Sequence, residues 1–430
     1  MSAAPPAPSC APAAAALGGR RAVLVFSAFA LAYFLSTLIR AITATLSPTL
    51  TQEFALDAGD LGLLAAGYFL GFALTQLPLG RWLDRHDPRR VELAFLGLAV
   101  AGCLLFSFAQ SFGVLLLARV LTGVGVSACL MAPLTGYRRW FTPAMQLRSA
   151  SWMLMVGSSG VVAATLPVQW LLPLVGWRPL FWLLAAGVGL AMAGIAWAVP
   201  RGAAPATAPA PAPAPSHAAV GGDAAVWRSP FFRSVVPLGF FFNGGLAALQ
   251  TLWIVPWLIR VGGRTPQEAA EGLFAVSLTL LACYWLWGLA NPWLLRRGWT
   301  APRLMALLLP LNLAVLAAIW LLGPQAGVGL WVLYGMSATP VSLAQPAAAL
   351  ALPPALAGRA LSAYNLAVFV GIFTLQWGVG LLIDLGLALG QPEPMAFRLS
   401  LAVFWACSVG AYLFFLWARP YDRPASLPAS

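Results

Sequence analysis

One pattern leaves this chain few ways to fold. Twelve apolar stretches, each close to the roughly 20 residues that cross a bilayer as a helix, alternate with short segments that hold most of the arginines. The stretches run over 22–46, 60–79, 91–109, 113–135, 149–173, 179–199, 233–258, 272–292, 303–322, 328–350, 361–388 and 398–418. An even number of crossings returns both ends to one side. If that side is the cytoplasm, 18 of the 24 arginines fall in inner segments, and only Arg40, Arg119, Arg178, Arg260, Arg264 and Arg398 lie elsewhere. Inner loops are the positive ones, so both termini are expected to be cytoplasmic. The expected class is an all-α membrane protein of twelve transmembrane helices.

Composition agrees. The chain is 61% hydrophobic and 8% charged, with a mean hydropathy of +0.84, against about a quarter charged in soluble domains. A net charge of +12 would suggest nucleic acid on a soluble chain; here the basic residues are topology signals, and a lipid bilayer is the expected partner. The two histidines, His86 and His217, and five scattered cysteines form no CxxC or HExxH pattern, which removes zinc and thioredoxin-like chemistry. No cofactor is expected. All 24 basic residues are arginine; with the abundance of Ala, Gly and Pro this points to a GC-rich bacterial gene and hence to the bacterial inner membrane.

The organisation follows from the same pattern. Residues 1–21 form an Ala/Pro-rich tail without the charged start and short apolar core of a signal peptide. Residues 22–199 hold six spans, 200–232 an extended cytoplasmic linker with Ala-Pro alternation, 233–418 six more spans, and 419–430 a cytoplasmic tail. An offset of 210 residues aligns Gly62-Leu63-Leu64-Ala65 with Gly272-Leu273-Phe274-Ala275, Tyr33 with Asn243 and Arg40 with Gln250. Parallel six-span repeats that hold a solute near the midplane are a transporter plan.

Residues 80–90 read GRWLDRHDPRR, and residues 119–125 read RVLTGVG. The first resembles the loop pattern of the major facilitator superfamily, and the second its span-4 pattern. The resemblance implies twelve helices working by alternating access, as a monomer. It also implies conformational roles for Gly80, Asp84, Arg85, Arg89, Arg90, Arg119 and Gly123, with Asp84 latching the cytoplasmic side through helix N-termini and arginines. The alternative is that the arginines only set topology, and that Arg119 is a structural donor to neighbouring carbonyls. Residues 157–164, GSSGVVAA, lack the Gly-Pro signature of drug–proton antiporters.

Ionisable groups inside a membrane are functional candidates. Arg40 shares one face of span 1 with Ser36 and Tyr33, at i−4 and i−7. Span 7 offers Asn243, Gln250, Trp253 and Trp257, and span 11 offers Asn365 and Gln376. A guanidinium presents a planar fork to a carboxylate. The stretch Tyr33–Arg40 is similar to span 1 of anion–cation symporters and organophosphate antiporters. Gln250 stands where the latter carry a second Arg, which favours a monocarboxylate. Snorkelling of Arg40 to the headgroups is the other reading. No Asp or Glu is expected deep in a span, since Glu92 opens span 3 and Asp384 ends span 11. Any coupled proton would then ride on the substrate or use Asp384; exchange against a counter-anion stays open. The expected function is secondary active transport of a small organic anion. Efflux of amphipathic compounds is the runner-up and a transporter-like membrane sensor the alternative of another class. No nucleophile–base set or phosphate loop supports an enzyme.

Overall fold

The computed structural model describes Leu17, residues 19–200 and residues 222–418; the tails and the Ala-Pro stretch 203–215 lie outside the described residues. Among the described residues there are helices and turns and no strands. Ten helices are long and apolar enough to cross a membrane, or eleven if one bent pair counts as a single span. In chain order the spans are α1 (Gly19–Phe54), α2 (Ala58–Arg85), α3 (Pro88–Ser107), α4 (Phe112–Trp140), α5 (Pro143–Ala163, continued by Leu166–Val175) and α6 (Trp177–Ala198). The second half holds α7 (Pro230–Arg260), α8 (Pro266–Arg296), α9 (Ala301–Leu322), α10 (Val328–Ala338, then Thr339–Leu343 and Ala344–Leu350), α11 (Pro354–Ala388) and α12 (Glu393–Trp417). Large apolar side chains such as Leu174, Trp197, Leu350 and Trp417 stay exposed on outer faces, as a lipid-facing surface requires.

Three expected spans, the fourth, fifth and tenth, are not single continuous helices: a turn over residues 127–130 interrupts the fourth, and in the other two proline is the reason. A proline inside a helix offers no N–H to the carbonyl four residues earlier and its ring crowds that carbonyl. Before Pro167, α5 bends by 47°, and the carbonyl of Ala164 at the bend accepts the Thr45 hydroxyl of α1 at 2.7 Å. At Pro340, α10 tightens into a 3-10 turn over Thr339–Leu343, and the Thr339 hydroxyl takes over the Met336 carbonyl at 2.7 Å. Elsewhere the helix survives its proline. Ser47 donates to the Ala44 carbonyl that Pro48 leaves, at 2.7 Å, and Tyr412 of α12 donates to the Ala306 carbonyl that Pro310 leaves, at 2.6 Å.

Part of the expected linker is ordered. Gly222–Arg228 is a short helix, Val226 is buried and the Trp227 ring meets Phe232 edge-on at 5.2 Å. The first half has a large apolar core drawn from α1 to α6 and a smaller one of Leu79, Leu83, Val91, Phe95, Ala128 and Ala132, and the second has two. Close approach of backbones builds the first half. A Cβ on Gly123 would stand 2.0 Å from the Tyr68 carbonyl oxygen of α2, and one on Gly125 2.2 Å from the Ala99 nitrogen of α3. The glycines of the span-4 motif are therefore packing requirements. Across the halves, α2 runs tightly against α11: a Cβ on Gly380 would meet the Ala58 carbonyl oxygen at 2.2 Å.

Tyr412→Phe should orphan the Ala306 carbonyl and cost about 1–3 kcal/mol. Pro310→Ala in the same chain should recover most of that loss, because residue 310 then supplies the N–H. Unfolding of the purified protein in detergent, read as a double-mutant cycle, checks both; a purely additive cycle contradicts the assignment.

Candidate functional site between the two halves

On α1 the three expected residues do share one side, with different environments. Ser36 is buried and its carbonyl accepts the Tyr68 hydroxyl of α2 at 3.3 Å. Tyr33 is half-buried, with Gly157 of α5 so close that a Cβ there would stand 2.3 Å from the ring. Arg40 is half-buried as well. Its Nε has no hydrogen-bond partner, and no described carboxylate stands within ion-pair distance of it. Tyr33 and Tyr68 are the titratable side chains that lie within its electrostatic reach.

Arg119 differs. It is 1% exposed, donates to the Ile39 carbonyl at 2.8 Å and to the Arg40 carbonyl at 3.4 Å, and lies over the Tyr68 ring at 5.2 Å. A guanidinium so engaged braces α1 from within its own half. Of the two expectations for Arg119, this geometry matches the structural donor.

The facing helix α7 is not uniformly α-helical. Gly239–Asn243 and Leu249–Trp253 are π turns, which advance fewer degrees per residue and so scatter a face drawn with α spacing. Gln250 donates to the Ser277 hydroxyl of α8 at 3.1 Å. Trp253 donates to the Gln376 carbonyl of α11 at 3.0 Å. Trp257 is buried within the second half, its ring edge-on to Trp331 at 5.9 Å. Asn243 lies beside Tyr364. Gln376 is fully buried and donates to Thr251 at 2.8 Å, tying α11 to α7, while Asn365 is half-buried. The structure thus sets α1 against the π turn that carries Gln250; Trp253 and Gln376 clasp α7 to α11, and Trp257 serves the core of its own half.

Phe369 of α11 meets Phe72 of α2 with ring centroids 4.7 Å apart, an interdomain contact in mid-helix. One end of the same helix pair is closed more firmly. Asp384, near the C-terminal end of α11, accepts the Ala58 N–H at 3.0 Å and the Gly59 N–H at 2.6 Å, one on each carboxylate oxygen. A carboxylate on a helix N-terminus meets both unsatisfied N–H groups and the positive end of the dipole. Asp57 caps the same helix through the Asp60 N–H at 2.6 Å. At the other end of α2 stands the Gly-Arg loop. Gly80, Arg85 and Arg90 are exposed there, and Arg89 donates to the Ala196 carbonyl at the end of α6. The Asp84 side chain lies outside the described residues.

Glu92 corrects the expectation that no acid lies inside the bundle. It does stand near the start of α3, as its sequence position implies, yet it is fully buried there. Helical phase carried the signal: Leu96, Ala99 and Cys103, at i+4, i+7 and i+11 from it, are all fully buried.

A Major Facilitator Superfamily profile matches residues 29–375. The nitrate/nitrite transporter NrtP of Picosynechococcus sp. is 33% identical over 128 residues, 29% of this chain and 23% of that protein. The fosmidomycin resistance protein of Escherichia coli is 28% identical over 123 residues, 28% of this chain and 30% of that protein. The chain therefore aligns with less than a third of the length of these relatives. Among solved structures, a bacterial homolog of the human lysosomal transporter Spinster, inward-facing and unoccupied, covers 96% of this chain and 100% of its own at a TM-score of 0.75 and 19% identity. A D-xylose–proton symporter follows the fold over 92% of this chain and 97% of its own at a TM-score of 0.71 and 14% identity.

Asp384→Asn should open the closed end. An amide puts an N–H donor against one of the two helix N–H groups and removes the charge, an effect of about 1–2 kcal/mol at a partly buried helix terminus. Spin labels on the exposed positions 52 and 389 should show a longer-distance population in the variant; an unchanged distance distribution would sink this role for Asp384.

Proposed function

Because this chain belongs to the Major Facilitator Superfamily, a family of transporters and not of enzymes, we propose that it moves a small organic anion across the bacterial inner membrane by alternating access. The protein is a multi-pass membrane transporter. The finer reading takes α5 and α10 as spans despite their breaks, which gives twelve crossings, two six-helix halves and cytoplasmic termini, acting as a monomer. On that topology the end closed by Asp384 faces outward, and the conformation is inward-facing.

One observation carries the substrate class. Arg40 is carried by α1, the helix that packs against the Gln250 turn of α7 in the other half, and is half-buried with a free Nε and no carboxylate partner among the described residues. A cation held in low dielectric without a counter-charge is poised for an anion, and the guanidinium fork suits a carboxylate or another planar oxyanion. Tyr33 beside it, Ser36 one turn earlier and Gln250 on the facing helix are the polar groups proposed to orient the solute; Asn243 and Asn365 would meet its far end. A relative named for nitrate and nitrite supports an anion. A relative named for fosmidomycin resistance favours outward movement, the runner-up direction. In the cycle proposed here, the anion neutralises Arg40, the inner ends of the halves approach through the loop of Gly80, Asp84, Arg85, Arg89 and Arg90, and the contact of Asp384 with α2 breaks.

Nitrate and a panel of monocarboxylates, screened for thermal stabilisation of the purified protein, provide the test, since a bound ligand stabilises by mass action. For any anion that stabilises the wild type, Arg40→Lys should weaken binding by about 1–3 kcal/mol, and Arg40→Ala should abolish it. Equal stabilisation of wild type and Arg40→Ala would place Arg40 at the headgroups and remove the organic-anion assignment.

A further inference from the structure

One acidic side chain is sealed inside the first half without a counter-ion. Glu92 sits in the second turn of α3 and is 0% exposed, and neither carboxylate oxygen has a hydrogen-bond partner among the nitrogen and oxygen donors. The groups that face it come from α4: the Cys129 thiol, and Tyr137, whose hydroxyl also lacks a partner. The other helices against α3 bring it no cation. Helix α6 has a single titratable side chain, Arg178, held far along that helix by Glu53. Arg89, one turn earlier on α3, is engaged by the Ala196 carbonyl. On α2, Tyr68 turns to Ser36, and Arg119 of α4 turns to the carbonyls of α1.

Two physical consequences follow. An ionised carboxylate taken out of water with no partner costs several kcal/mol, and binding a proton removes that cost. Cys129 also lies against the Ser36 hydroxyl, on the side of α1 that carries Tyr33 and Arg40. A thiol and a hydroxyl therefore connect the buried acid to the side of α1 that carries Tyr33 and Arg40.

We propose that Glu92 is a proton-binding site of this transporter: it holds a proton in the conformation seen and releases it once per cycle, when the rearranged halves admit water to the Cys129–Ser36 side. In the release step the O–H bond of the carboxyl breaks, water accepts the proton as hydronium, and the electron pair stays on Glu92 as carboxylate. The proton-holding part stands on the burial of Glu92 alone, while its coupling to solute movement rests on the anion-transport reading above.

The experiment has two arms, both on the full-length protein. The first is infrared spectroscopy of wild type against Glu92→Gln at neutral pH. A protonated-acid carbonyl stretch in the wild type, lost in Glu92→Gln and present at a shifted frequency in Glu92→Asp, is the expected result. A carboxylate stretch in its place overturns the proposal, and Glu92→Asp decides the matter if the amide variant fails to fold. The second arm uses proteoliposomes holding a pH-sensitive dye, with nitrate as the probe. Wild type should couple nitrate entry to a lumenal pH change, and Glu92→Gln should lose that change while keeping nitrate counterflow. An unchanged pH signal in Glu92→Gln overturns the coupling. If wild type moves no nitrate, the failure is that of nitrate as substrate, and the infrared arm alone decides whether Glu92 holds a proton.

Discussion

In a bilayer no water reaches the backbone, so every carbonyl that a proline or a bend releases must find a donor inside the protein. Much of this structure answers that demand. Ser47 covers the carbonyl left by Pro48, Thr339 the one left by Pro340, Tyr412 the one left by Pro310, and Thr45 the one at the bend before Pro167. Two of these donors come from another helix, and so they fix neighbours as well as satisfying the backbone. Thr45 ties α1 to the bend of α5 and Tyr412 ties α12 to α9. The same demand bears on Arg119, which a charge count alone marks as a functional cation: its two terminal nitrogens each donate to a carbonyl of α1.

Among the polar side chains of the interior, Arg119, Gln376, Trp253, Asn312 and Thr45 each make a hydrogen bond within the protein, although the Nε of Arg119 and the Oε1 of Gln376 stay without a partner. Arg40 has an unpartnered Nε, and Glu92 has two unpartnered carboxylate oxygens. Both belong to the first half, and Ser36 lies within reach of each, on the helix of Arg40 and against the Cys129 that faces Glu92. A buried polar group left open is costly; the transport reading gives both groups a ligand, an anion for one and a proton for the other.

The contacts across the halves are of a different kind. Phe72 against Phe369 and Gly380 against the Ala58 carbonyl are close but apolar or steric, and such surfaces can part without leaving a charge behind. The exception is Asp384 on the two N–H groups of α2. It is half-buried, so water can replace the helix as its partner when the end opens. A half-exposed electrostatic contact at a rim, over an apolar mid-helix contact, suits an interface that must exchange states.

The membrane class, the positions of the spans and the candidacy of Arg40 were legible in the chain itself, because hydrophobic length and the placing of charge are one-dimensional properties that a bilayer reads directly. What the chain could not show is how neighbours divide the polar groups among themselves. Arg40 and Arg119 are the same residue type in adjoining helices, yet one is open and the other is bound to carbonyls. Gln250, Trp253 and Trp257, placed on one face by α spacing, point to α8, α11 and α10 because π turns in α7 change the phase. Asp384 and Glu92 both stand near helix ends in the sequence; tertiary packing gives one a helix N-terminus from the opposite half and seals the other away from every cation. Those outcomes depend on which helix lies alongside, a three-dimensional fact that packing alone decides.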